Sequence, residues 1–163
     1  MALQYSVTVN NARLDAIETA IGTSAILKIR TGAVPANCGA ADSGTVLATV
    51  NLPSDWMAAA GSGSKAKSGT WQDTSADATG TAAHFRLYKT DGTTCIMQGT
   101  VGQGSGDLSL DNTAIVTGQG GATGVCLVEA YDATEGAIPK AQRLVNISSR
   151  ALVGNGESAL IGG

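Results

Sequence analysis

The sequence predicts an all-β fold: an antiparallel β-sandwich, Ig-like or jelly-roll-like, with one short N-terminal helix. Three observations point there. From residue 26 onward, short runs recur in which apolar and polar residues alternate. Between the runs lie clusters of Gly, Ser, Asp and Asn, the residues of tight turns. Glycine, at 22 of 163 residues, is used roughly twice as often as average, and without a collagen period.

The elements follow in chain order. Leu3, Tyr5, Val7 and Val9 alternate with Gln4, Ser6 and Thr8, which predicts a strand or extended arm over 1–9. Asn10-Asn11 then N-caps a helix over 12–21, closed by Gly22. Leu14, Ile17 and Ile21 give it a narrow apolar stripe, and Asp15 and Glu18 suit its N-terminal half. A helix this short is marginal alone in water, so the stripe must dock on something. Strands are predicted at 26–30, 46–52, 83–88 and 95–101, the last two joined by a hairpin turn at Thr90-Asp91-Gly92-Thr93. Leu27 and Ile29 oppose Lys28 and Arg30; Phe85 and Leu87 oppose His84, Arg86 and Tyr88. Cys95, Met97 and Val101 share one face, with Gln98 and Thr100 on the other.

Residues 53–60 are read as one helical turn capped by Ser54, and 61–69 as a flexible loop with Lys65 and Lys67 at a solvated tip. Short strands continue at 108–110 and 114–116. Four glycines between 118 and 124 mark a boundary, followed by strand candidates at 125–128, 143–147, 151–153 and 159–161. The organisation is thus an arm and helix (1–22), a sandwich core (23–119) and a β extension (120–163). The extension is too short for its own core and must pack in cis or on a neighbouring subunit.

Composition narrows the function. A net charge of −3 and a pI near 4.9 lack the footprint of a nucleic-acid binder. No apolar run approaches the roughly 20 residues of a membrane span, so no membrane partner is expected. No basic-then-apolar leader is visible at the amino terminus, which suggests synthesis in the cytoplasm. Cys38, Cys95 and Cys126 are widely spaced, with no Cys-x-x-Cys pair, which argues against structural zinc. They are three structural thiols or one bridge plus a thiol, and spacing does not reveal a pairing.

His84, the one histidine, has no carboxylate beside it in sequence and is expected to face solvent or an interface. Asp73, Asp77, Asp107 and Asp111 fit turns better than a calcium loop. The glycine-rich 102–106 lacks the Lys-Ser/Thr and helix of a phosphate loop, and the Asn146-Ile147-Ser148 acceptor triplet lacks a secretion signal. No catalytic, cofactor-binding or metal-binding residue is therefore expected, and the chain reads as a non-enzyme. The candidate interface residues are Leu14, Ile17, Ile21, Trp56 and Trp71. The helix stripe either covers a sheet edge or reaches onto a neighbour; the tryptophans either close one end of the core or contact a subunit.

Several co-ordered stretches carry a resemblance: 11–22 (NARLDAIETAIG), 52–57 (LPSDWM), 68–73 (SGTWQD), 81–88 (TAAHFRLY) and 111–115 (DNTAI). Over roughly 1–119 the chain resembles a family of small structural virion proteins of tailed bacteriophages and prophages. The resemblance implies an assembly role: a homo-oligomer that decorates or cements the capsid, in contact with the major capsid or tail protein, and located in the virion. A tail or head–tail junction position is the next expectation. After Gln119 the chain departs from that family. Residues 120–132 and 143–154 are similar to the end of β-sandwich modules in bacterial surface or secreted proteins. With the two tryptophans, that tail raises the alternative of a carbohydrate-binding or adhesion module.

Overall fold

The computed structural model describes residues 5–122, 125–127 and 144–146. Its helix, α1 (Val7–Ile21), begins earlier than predicted. Ser6 lies in extended backbone, its Oγ accepts the Val9 N–H at 3.3 Å, and its carbonyl accepts the Asn10 N–H at 3.0 Å. Satisfying those donors outweighs the strand preference of Val7 and Val9. The expected extended arm is corrected accordingly: Val7 and Val9 are helical, and Asn10 and Asn11 sit inside the helix instead of capping it. Residues 1–4 of that arm lie outside the described residues. Gly22 ends the helix at φ 88°, donating to the Glu18 carbonyl at 2.8 Å.

The strands are β1 (Ile26–Arg30), β2 (Val46–Asn51), β3 (Gln72–Asp73), β4 (Gly80–Thr81), β5 (His84–Tyr88), β6 (Cys95–Gln103), β7 (Leu108–Leu110), β8 (Ala114–Ile115), β9 (Gly121–Ala122), β10 (Val125–Leu127) and β11 (Leu144–Asn146). Seven form one curled sheet, a half-barrel in the order β10-β11-β7-β6-β5-β1-β2. Two short pairs, β3–β9 and β4–β8, complete the described strands. The expected hairpin joins β5 to β6, and its turn is pinned by Asp91, whose carboxylate accepts from the Thr93 and Thr94 N–H groups and the Thr94 hydroxyl. Among the described residues no helix is long and apolar enough to cross a membrane.

The sheet is mixed, which corrects the antiparallel expectation: β7 runs parallel to β6, and β11 parallel to β7. The cause lies in the glycine-rich stretch. A parallel connection normally takes about a dozen residues or more. Here 104–107 suffices, because the chain first folds back so that Gly106 bridges Val101, then turns again so that Leu108 pairs with the same residue. Gly106 has φ +80°, and a Cβ there would meet the Gly102 nitrogen at 3.0 Å and the Thr100 carbonyl oxygen at 3.1 Å. Asp107 locks the turn, its carboxylate accepting from the Thr100 N–H and hydroxyl, each at 2.9 Å.

One face of the sheet builds the core from Leu27, Ile29, Val50, Phe85, Leu87, Val101 and Leu108, joined by Ile21, Trp56, Trp71, Ala82 and Ile115. Burying each large side chain contributes about 1.5–3 kcal/mol. Two bulges break the two-residue period. In β2 the register shifts opposite Ile29/Arg30, so Leu47 and Ala48 are both buried. In β6, Leu87 pairs with Met97 and Tyr88 with Cys95, which skips Ile96. Cys95 therefore belongs to the polar face, and its expected alignment with Met97 is corrected.

The outer edge of β2 is covered by 73–78. The Thr49 N–H donates to the Asp73 carboxylate at 2.9 Å and its hydroxyl to Asp77 at 2.7 Å, while the Leu47 carbonyl accepts the Asp77 N–H at 2.8 Å. Asp73 also receives the Ser75 N–H in a local turn.

Candidate functional site

Two places gather the residues singled out above: the region where α1 meets the 52–71 segment, and the polar face of β1, β5 and β6. In the first, 53–60 forms no helical turn. Ala58 N–H bonds the Ala66 carbonyl and Ser68 N–H the Trp56 carbonyl, each at 2.8 Å, so 56–68 is an irregular hairpin. Its tip, Gly61–Ser64, has Ser62 at φ 53° and Gly63 at φ 76°, the positive angles a two-residue hairpin turn requires. The expected flexible loop is thus a paired structure. Lys65 is 5% exposed and bonds Asp15 at 2.6 Å and Glu18 at 2.8 Å, which corrects its placement at a solvated tip. Asp15 also accepts the Ala60 N–H and Asn11 the Gly63 N–H, so the polar side of α1 is the dock for this hairpin.

Trp56 and Trp71 pack ring against ring at 5.8 Å between centroids. Trp56 Nε1 donates to the Gly22 carbonyl at 2.8 Å, and Trp71 Nε1 is shared by the Trp56 and Ser68 carbonyls. Both side chains, with Leu14 and Ile21, are buried by this chain itself. Neither tryptophan offers a ring face to solvent. Of the five candidate interface residues only Ile17 reaches the surface, where it lines a shallow groove of about 320 Å³ with Ala16, Ala20, Ile96 and Met97. Val9 is 42% exposed, and at helical spacing it lies on the same flank as Ala16 and Ala20. Ile96 and Met97 are consecutive residues of β6 on one groove because of the bulge, a feature that strict alternation hides.

The second place is the polar face. Lys28, Arg30, His84, Arg86, Tyr88 and Gln98 pair across β1, β5 and β6. The 31–45 segment lies over them. Asp42 receives the Arg30 guanidinium at 3.1 Å, the Tyr88 hydroxyl at 2.7 Å and the Arg86 guanidinium. Arg30 Nε also donates to the Ser43 carbonyl, and Arg86 to the carbonyls of Ala40 and Cys38 and to the Cys95 sulfur. Gln98 reaches the Pro35 carbonyl at 2.6 Å. Burial pushes the Asp42 carboxyl up, but the Tyr88 hydroxyl and the two guanidiniums outweigh it and hold its pKa below the ordinary range.

His84 is fully buried, which corrects the expectation of a solvent-facing or interface histidine. Its Nδ1 donates to the Gly32 carbonyl at 3.0 Å. Burial lowers its pKa, as do the Arg30 and Arg86 charges, so the ring is neutral at pH 7. The signal for this buried layer lay in the three cations and one histidine that β1 and β5 place side by side. The strand pattern alone suggested a solvated face.

Among the described residues no group of three or more His, Cys, Asp or Glu is placed to hold a metal. Asp107 and Asp73 serve turns and strand ends, as above. Comparison of the chain with protein-family models, with curated proteins and with solved structures finds no match.

Proposed function

We propose that this chain is a non-enzymatic structural component of a bacteriophage virion that decorates or cements the capsid, through contacts with its own copies and with the major capsid or tail protein. The observation that carries the reading is the apolar flank of α1 and β6. Ala16, Ile17, Ala20, Ile96 and Met97 line one apolar groove, and the exposed Val9 lies on the same flank of the helix. On the opposite face Arg30 and Arg86 are engaged in holding the chain's own 31–45 segment. Such a flank gives each copy a modest contact, and repetition over a shell turns modest contacts into firm attachment. The resemblance of 1–119 to small virion proteins supports the same reading. On this reading the fold is a sandwich whose second layer starts with β3–β9 and β4–β8, and the chain is made in the host cytoplasm and ends in the particle.

The test is direct. Mass spectrometry of purified particles is expected to find the chain at many copies each. Light scattering on the full chain is expected to show an oligomer that Ile17→Glu and Met97→Glu reduce to a monomer with an unchanged circular-dichroism spectrum. Particles devoid of the chain would overturn the proposal.

A further inference from the structure

We propose that Cys38 and Cys95 are a redox-active thiol pair that closes into a disulfide across the 31–45 segment and β6. One guanidinium brings them together: Arg86 donates through Nη2 to the Cys38 carbonyl at 2.7 Å and through Nε to the Cys95 sulfur at 3.2 Å. Both thiols are free, half-buried and line the same open cavity of about 520 Å³, with Lys28, Asp42 and Thr94 around it. Burial pushes the Cys95 thiol up to about 11, and the neighbouring Cys38 thiol adds to the rise. Cys38 lies on the covering segment and Cys95 on the strand beneath. The β6 bulge that moves Cys95 onto the polar face is what creates the pair.

The co-reactant is a small-molecule disulfide. The Cys38 thiolate attacks one of its sulfurs, forming a mixed disulfide and releasing one thiol. Cys95 then loses its proton to solvent, attacks the Cys38 sulfur and expels the second thiol. Two protein thiols are oxidised and one external disulfide is reduced to two thiols. Deprotonation of Cys95 makes the second step slow, and Arg86 stabilises the transient thiolate.

The experiment uses the full chain incubated with oxidised glutathione, then alkylated and digested before aspartate. Cleavage before Asp107 and Asp111 separates Cys95 from Cys126. The expected product is a peptide pair joined through Cys38 and Cys95, with alkylatable thiols falling from three to one. The melting temperature rises by about 10 °C and returns on reduction. Cys126→Ser keeps both effects and Cys38→Ser loses both. A bridge to Cys126, a reaction that stops at a glutathione adduct, or three thiols still alkylatable after oxidation would each overturn the proposal.

Discussion

Asp42→Ala tests how the 31–45 segment is held. Arg86 is 1% exposed and its carboxylate partner 39% exposed. Removing one member of a fully buried pair costs about 3–5 kcal/mol. Water screens part of the Asp42 charge, and Arg86 keeps the Cys38 and Ala40 carbonyls and the Cys95 sulfur. The expected cost is therefore about 2–3 kcal/mol for Asp42→Ala. Asp42→Asn keeps an acceptor for the Tyr88 hydroxyl and should cost about 1–2 kcal/mol. In urea unfolding with a slope near 2 kcal/mol/M, the alanine variant's midpoint drops by about 1–1.5 M.

The pH dependence carries a second check. A carboxyl whose folded pKa is depressed contributes stability above its unfolded value, and that stability is lost as pH falls through the folded value. Wild type should lose stability more steeply than Asp42→Asn below about pH 4. An alanine variant within about 0.5 kcal/mol of wild type at pH 7 would refute the view that Asp42 anchors the segment.

Three further outcomes are expected. His84 has a depressed folded pKa, so wild type weakens as pH drops below about 6.5, by at most about 1.4 kcal/mol per pH unit; His84→Asn should flatten that slope in urea titrations between pH 7 and 5. Gly44 has φ +65°, and a Cβ there would meet the Thr31 carbonyl oxygen at 1.8 Å, so Gly44→Ala must displace the segment that carries Asp42 and Ser43. Its cost of about 3 kcal/mol is readable as a lowered melting temperature. Trp56→Ala removes a fully buried ring and the bond to Gly22, costing about 3–5 kcal/mol. Its unfolding midpoint falls sharply, and the remaining Trp71 emission shifts to the red as its packing partner is lost.

The strands with clean alternation were legible: 26–30, 84–88 and the Asp91-Gly92 hairpin are where the pattern places them. Misreadings arose where a local device overrode periodicity. Ser6 drew Val7 and Val9 into a helix, and one skipped residue at Ile96 moved Cys95 to the other face. The 102–106 glycines bent a strand pair into parallel register. His84 and Arg86 were harder still, because the cover over them is an irregular segment with no hydrophobic period. It grips through backbone carbonyls and a single carboxylate, groups that composition does not distinguish from an ordinary loop. Lys65 was hidden for the same reason: its partners Asp15 and Glu18 lie on a helix fifty residues upstream.

The carboxylates of Asp73 and Asp77 at Thr49 have a consequence for assembly. They stopper one margin of the main sheet, and a stoppered sheet does not hand its ladder from molecule to molecule. On the proposed reading, copies therefore do not join by strand addition at that margin and meet there side chain to side chain.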